Sequence, residues 1–466
     1  MKTCVIVCLC AVNRERLPGA ISAMASWTLH RLTDPSAACL DGHPGAFYHR
    51  PNSEARGRWL IYIQGGGWCF SDDDCALRAA SSLGSAERLP PQPSAPELTA
   101  GGVLSADCAH NAEFCKYNAA ILHYCDGGSF SGNASATAPQ RRHGVRVPVD
   151  DGRGRLRAGV APPSTRHAGS ALLAGALAQL ATLGLADATD VLLAGCSAGG
   201  LAALLHAAAV RDAVRRSGAP LRRFGVVSFS GMFGLAAPSA TTAAHLRAIT
   251  SRVGRPTGCA AAEDWRCWAG TAPLEALPAD LPAFVEQSTL DRWVSYCELG
   301  ADAFSGFYLR NCAAGEWAKC LQFTRPFAHG RLGRKCTDAQ RAQLEAHQRA
   351  AADALRATTA LRRPKYGGFV HGCHDHCPAT RSGSWEHTKV GDVALADAVR
   401  RWWAGDATVH DPGCIADFAG GCAPSCWGLQ PWPDPRPLVE RQIKALGGAA
   451  RGGRRARRLR REDSSG

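Results

Sequence analysis

Short apolar runs recur along this chain, separated by alanine- and leucine-rich stretches with a helical repeat. Trp59 to Ile63, within "GRWLIYIQGGG", is one such run and ends in three glycines. Ala119 to Tyr124, "AAILHY", is a second, followed by the loop "CDGGSFSGN". Between Ala168 and Leu183 the residues Leu172, Leu173, Leu177, Leu180 and Leu183 give a helix one apolar face. Val191 to Ala194 is a third run, and the sequence from Leu201 onward is a strong helix former. Phe224 to Phe229, Pro282 to Gln287 and Gly368 to Val370 predict further strands. Asp338 to Leu361 predicts a long helix, with Thr337 as its N-cap and Gln340 completing a capping box. Val390 to Trp403 predicts a terminal helix. Apolar runs this short, alternating with helices, predict an α/β fold: a mostly parallel central sheet with helices on both faces. The alanine-rich segment Ala236 to Pro278 predicts a helical or irregular insertion, and no internal repeat is present.

Composition sharpens this reading. Of 466 residues, 46% are hydrophobic and 20% charged, a globular balance. The expected organisation is an N-terminal stretch 1–25, a single catalytic domain 26–445 and a disordered tail 446–466. No window holds the roughly 18 uncharged apolar residues that a membrane span needs, so no stable membrane insertion is expected. The net charge of +13 is partly local, because Arg451 to Gly466 carries seven arginines against Glu462 and Asp463. A basic balance suits an acidic polymer such as a polyuronide, although a solvated surface and tail explain it as simply. The tail lacks interleaved aromatics, so no nucleic-acid partner is expected. Twenty-one closely spaced cysteines point to an oxidising compartment and several disulfides. "MKTCVIVCLCAV" resembles a weak secretory signal, and Asn133-Ala134-Ser135 is a glycosylation sequon.

The chemistry is suggested by Gly195-Cys196-Ser197-Ala198-Gly199, between a predicted strand and a predicted helix. Glycine is 50 of 466 residues, so a bare G-x-S-x-G arises by chance on the order of 0.3 times in such a chain, and context must decide. Here the strand-to-helix setting would expose the Ser197 hydroxyl as a nucleophile. The N–H of Ala198, at the helix start, is free to bind an oxyanion. The glycines of Gly65-Gly66-Gly67 follow an earlier strand and suit further oxyanion donors. A base should follow late in the chain, and His371, His374, His376 and His387 are the candidates. Asp291 suits the orienting acid, with Asp302, Asp280, Asp264 and Asp375 as rivals. The run "HGCHDHC", His371 to Cys377, also fits a zinc site, but in a disulfide-rich chain oxidised Cys373 and Cys377 are favoured, and no metal is expected. Cys196 is expected to be an unpaired core residue, since a disulfide there would constrain the turn.

Six stretches in order, "CLDGHPGAFYHR", "WLIYIQGGGWC" with "CALRAASSLGSA", "GVLSADCAHNAEFCKYN" running into "HYCDGGSFSGN", "LLAGCSAGGLAALLH", "STLDRW" and "GCHDHC", resemble the pectin acetylesterase/Notum carboxylesterases over roughly Thr28 to Cys426. The resemblance implies a secreted α/β-hydrolase with a Ser-Asp-His triad and no cofactor. By motif, its nucleophile falls on Ser197, its acid on Asp291 and its base on His376. The oxyanion donors would be the N–H groups of Gly66, Gly67 and Ala198, with Trp68 near the acyl pocket. The implied partner is an acetylated acidic polysaccharide of a cell wall or extracellular matrix, and a monomer is expected. The alternatives are removal of a long lipid acyl group from a protein and a silent binding protein on the same fold; nothing favours a peptidase. One departure stands out: Phe229 occupies the position where the family usually has an aspartate.

Overall fold

The structure, a computed structural model, describes residues 26–93, 101–132, 146–150, 156–160, 165–237, 240–253, 264–298, 336–406 and 408–410. The strands are β1 (Thr28–Arg31), β2 (Ala46–Arg50), β3 (Arg58–Ile63), β4 (Asn118–Leu122), β5 (Arg146–Asp150), β6 (Leu156–Val160), β7 (Asp190–Cys196), β8 (Arg223–Phe229), β9 (Ala283–Ser288), β10 (Tyr366–His371), β11 (Lys389–Val390), β12 (Val393–Ala394) and β13 (Val409–His410). Nine of them form one sheet in the order β1-β2-β4-β3-β7-β8-β9-β10-β13. From β4 to β13 every neighbouring pair is parallel, and β2 is antiparallel to both β1 and β4.

The apolar runs are continuous because both faces of the sheet are covered. Ile61, Ile63, Val191, Leu193, Val226 and Val285 point into one core layer with Leu172 and Leu180 of the helix Gly169–Thr182 and Leu201 and Ala203 of the helix Ala198–Arg216. The residues between them, Leu60, Tyr62, Leu192, Ala194, Val227 and Phe284, point into a second layer with Val399, Trp402 and Trp403 of the helix Leu395–Trp403. Alternation along each strand therefore feeds two cores. At about 25 cal/mol per Å² of apolar surface removed from water, these layers are the main favourable contribution to folding.

Several elements depart from the sequence-based expectation. Strands β1 and β2 were not anticipated, because "TLHR" and "AFYHR" mix polar with apolar residues. Yet Arg50 is buried, with its guanidinium 4.8 Å from the Trp27 ring and donating to Leu104 O at 2.6 Å. The hairpin of β5 with β6 was likewise unforeseen. The stretch predicted as one helix from Val390 first makes the β11–β12 hairpin, because Gly391 sits at φ 59° and turns the chain; the helix begins at Leu395. The long helix runs Asp338–Ala357 with the expected Thr337–Gln340 capping box. It stops where Thr358 turns to extended backbone. The insertion contains the helices Ala240–Thr250 and Ala272–Glu275.

Candidate active site

Strand β7 ends at Cys196, the helix Ala198–Arg216 begins at Ala198, and Ser197 joins them at φ 60°, ψ −132°. A serine in this left-handed region is strained, and its surroundings over-determine it. Its N–H donates to Phe229 O at 2.9 Å. A Cβ on Gly195 would meet Gly199 O at 2.2 Å, and one on Gly199 would meet Ile63 O at 2.2 Å. Only glycine fits at these two positions, each two residues from Ser197.

The glycine loop lies against this turn, since a Cβ on Gly65 would stand 2.2 Å from Cys196 O. Gly66 and Gly67 adopt φ 146° and 64°. Both carbonyls are held by side chains: Arg78 Nη1 donates to Gly66 O at 2.8 Å, and the Tyr124 hydroxyl donates to Gly67 O at 2.7 Å. A carbonyl and the next residue's N–H share one rigid plane and point in opposite directions, so Arg78 fixes the direction of the Gly67 N–H. The Trp68 indole donates to Ser129 Oγ at 2.8 Å, which donates to Ala198 O at 2.8 Å. That chain ties the glycine loop to the first turn of the helix. Trp68, Phe233 and Trp293 pack edge to face, with centroids 4.7, 5.6 and 5.1 Å apart.

Beyond β9, Asp291 caps the helix Arg292–Cys297, with Oδ1 accepting from Val294 N–H at 3.0 Å. Its Oδ2 lies 2.8 Å from His376 Nδ1, and both side chains are buried. His376 follows β10 on the loop 373–377, and its N–H donates to Asp375 Oδ1 at 2.7 Å. Asp375 in turn pairs with Arg381, and Arg292 N–H donates to Asp375 O at 3.1 Å. With Nδ1 facing Asp291, Nε2 is the remaining ring nitrogen of His376.

The rival side chains have other work. Asp375 holds the His376 backbone, Asp264 caps Arg266, and Asp280 makes a surface pair with Arg211. His371 pairs with Glu286, His387 is half exposed near Glu386, and His374 is buried beside Arg292, with its pKa pushed down to about 3 by burial first. Asp302 and Asn133 lie outside the described residues.

The expectation for Cys196 is overturned. It forms a disulfide with Cys377, with Cα atoms 5.7 Å apart. The bridge joins the residue before Ser197 to the residue after His376, so constraint of the turn is the arrangement itself. Cys373 is also disulfide-bonded, so neither sulfur of the "HGCHDHC" run is a thiolate available to zinc. Cys39–Cys125, Cys69–Cys75 and Cys108–Cys115 are further bridges. Among the described residues a metal-like grouping occurs at Cys69, Cys75 and His167, whose cysteines are bonded to each other.

Sequence reasoning missed three groups near the site, two of them buried and one half-buried. Glu298 accepts from Gly234 N–H at 3.0 Å, and burial, reinforced by the charge of Asp291, pushes its pKa up to about 8. His347, on the long helix, feels Asp291 electrostatically, while burial lowers its pKa to about 4. Glu286 is the register partner of Phe229, so a carboxylate stands one strand away from the residue singled out as a departure. Phe229 itself is buried and packs against Trp385 at 6.1 Å. No local pattern announces these groups, because each depends on a neighbour more than 50 residues away in sequence.

A family model described as Pectinacetylesterase matches residues 21–426. Pectin acetylesterase 5 of Arabidopsis thaliana is 28% identical over 406 residues, covering 84% of this chain and 82% of that protein. Palmitoleoyl-protein carboxylesterase notum1' of Xenopus laevis is 30% identical over 207 residues, covering 44% of this chain and 36% of that protein. Among solved structures, the Wnt deacylase Notum from Drosophila aligns with a TM-score of 0.62 at 21% identity, covering 86% of this chain and 99% of that one. This last likeness establishes the fold, an α/β-hydrolase-like sheet clad by helices.

Proposed function

The chain belongs to the pectinacetylesterase family, and on that premise we propose that it is a secreted serine carboxylesterase that removes O-acetyl groups from an acidic extracellular or cell-wall polysaccharide. The observation that carries the reading is the buried Asp291 Oδ2–His376 Nδ1 contact of 2.8 Å, on a loop bridged by disulfide to the residue preceding Ser197. A carboxylate on Nδ1 sets the tautomer that leaves Nε2 as a base.

In this mechanism Ser197 Oγ attacks the acyl carbonyl while its proton passes to His376 Nε2. The carbonyl oxygen becomes an oxyanion held by the N–H groups of Gly66, Gly67 and Ala198, each donor being worth roughly 3 kcal/mol in the transition state. The carbon–alkoxy bond then breaks, and His376 returns the proton to the departing sugar hydroxyl. Water, deprotonated by His376, attacks the acetyl-serine; collapse releases acetate and restores the Ser197 hydroxyl. No step calls on a cofactor.

The reading sets Trp68, with Phe233 and Trp293 packed on it edge to face, beside the acyl group, where three mutually packed rings suit a short chain. The matches to palmitoleoyl-protein carboxylesterases favour a second reading, hydrolysis of a long acyl chain. A series of p-nitrophenyl esters from acetyl to octanoyl, followed by acetylated pectin and xylan, tests the choice. The expected kcat/KM peaks at acetyl; a peak at long chains overturns the acetylesterase reading. A fluorophosphonate probe is expected to label Ser197, and a folded protein that stays unlabelled overturns the serine mechanism.

A further inference from the structure

Beneath the loop 373–377 lies a carboxylate that the mechanism does not use. Glu286 and His371 face each other across β9 and β10, with Oε1 2.6 Å from Nε2 and both side chains fully buried. The other oxygen, Oε2, accepts from Ser230 N–H at 3.1 Å and from the Ser230 hydroxyl at 3.2 Å. Each partner then reaches one end of the loop that carries His376. Cys373 N–H donates to His371 Nδ1 at 3.2 Å, and Cys377 N–H donates to Ser230 Oγ at 3.1 Å.

The protons follow from these contacts. His371 Nδ1 accepts, so its proton is on Nε2, which donates to Glu286. Ser230 Oγ accepts from Cys377, so its own hydrogen turns to Glu286. Three donors thus converge on one buried side chain and engage both its oxygens, the Ser230 N–H being shared with the Glu286 main-chain carbonyl at 2.9 Å. We propose that Glu286 is a positioning residue for His376: one carboxylate, through His371 and Ser230, fixes both ends of the loop that presents the imidazole to Asp291. This rests on the triad reading above.

The need for a carboxylate here is chemical. A glutamine has a single acceptor oxygen. If its amide nitrogen faces Ser230, it opposes the Ser230 N–H, and the hydroxyl must turn to accept from the amide as well as from Cys377 N–H. If it faces His371, the imidazole proton must move to Nδ1, where it opposes the Cys373 N–H. The first orientation loosens the Cys377 end of the loop, and the second releases the Cys373 end. A loop displaced by about 1 Å costs on the order of 100-fold in rate with little change in binding.

The test is Glu286→Gln in the full chain, with Ser230→Ala as a milder companion that frees only the Cys377 end. Three readings are taken: thermal unfolding, steady-state kinetics on p-nitrophenyl acetate, and the far-downfield imidazole proton NMR signal of the His376–Asp291 bond, assigned by its loss in His376→Ala. The expected result for Glu286→Gln is a cooperative melt, a kcat lower by about 30- to 100-fold, a KM within about twofold, and a broadened or lost downfield signal. Ser230→Ala is expected to lower kcat by about tenfold and weaken the same signal. If Glu286→Gln does not fold, Ser230→Ala decides alone. A folded variant that keeps both kcat and the downfield signal overturns the proposal. A parent protein that shows the signal but hydrolyses no ester overturns the esterase reading instead, while the effect of the variants on the signal still judges the role of Glu286.

Discussion

Two sides of the proposed reaction centre, the Ser197 turn with its glycine loop and the loop at His376, owe their shape chiefly to different causes. The turn at Ser197 and the loop at Gly65–Gly67 fit together because side chains are missing: a single methyl on Gly65, Gly195 or Gly199 would overlap a backbone carbonyl. The loop at His376 is held by side chains brought from elsewhere: Asp291 after β9, Glu286 on β9, Ser230 after β8, Arg381 beyond the loop, and a disulfide. Exclusion sets how closely the first pair can approach, with Arg78, Tyr124 and Ser129 adding bonds around it, whereas bonding sets the place of the second. The first should fail abruptly when atoms are added, the second by degrees when bonds are removed.

Replacing Ser197 with Ala is the largest break. It is expected to abolish fluorophosphonate labelling and cut kcat on the order of 10⁶-fold without altering the melt. Asp291→Asn comes next, with a loss on the order of 10³- to 10⁴-fold in kcat, since the amide favours the wrong His376 tautomer. Gly65→Ala probes the loop shaped by exclusion. The added carbon must push the glycine loop away from Cys196, so kcat should fall on the order of 100-fold and the melting temperature should drop. Cys196→Ser combined with Cys377→Ser probes the loop held by bonds. Closing so long a chain segment is worth roughly 3–5 kcal/mol of stability, yet kcat should fall by no more than about tenfold because Asp291 and Glu286 still grip the loop. A loss as steep as that of Gly65→Ala would erase the distinction between the two loops.

The smallest effect concerns pH. The carboxyl of Glu298 is raised from 4.5 to about 8 on folding, so the folded protein keeps a proton that the unfolded chain has released. Its contribution to stability is complete below about pH 4.5 and is lost as pH rises toward 8. Glu298→Gln is expected to flatten that decline, measured as melting temperature across the window.

The same contrast explains what could be read from residues alone. The parallel sheet, the strand-to-helix turn and the glycine loop were legible because each is local: an apolar run, then glycines at fixed offsets from Ser197. The partnership of Asp291 with His376 was not; spacing left five acids and four histidines open, and motif resemblance made the choice. The pairing of Cys196 was not legible because its place next to Ser197 says nothing about Cys377, 181 residues away. Glu286 was passed over because one acidic residue in "PAFVEQ" looks like an ordinary polar strand position, and its burial becomes evident only when β8 and β10 lie on either side of it.

The bridge from Cys196 to Cys377 also makes the polypeptide a closed ring around everything between them. A protease that nicks the chain anywhere in that ring, whether in the insertion or in the stretch beyond Glu298, leaves Ser197 and His376 on one covalent object. Such clipped molecules would run at full size on a gel until a thiol is added, and would then fall into two pieces.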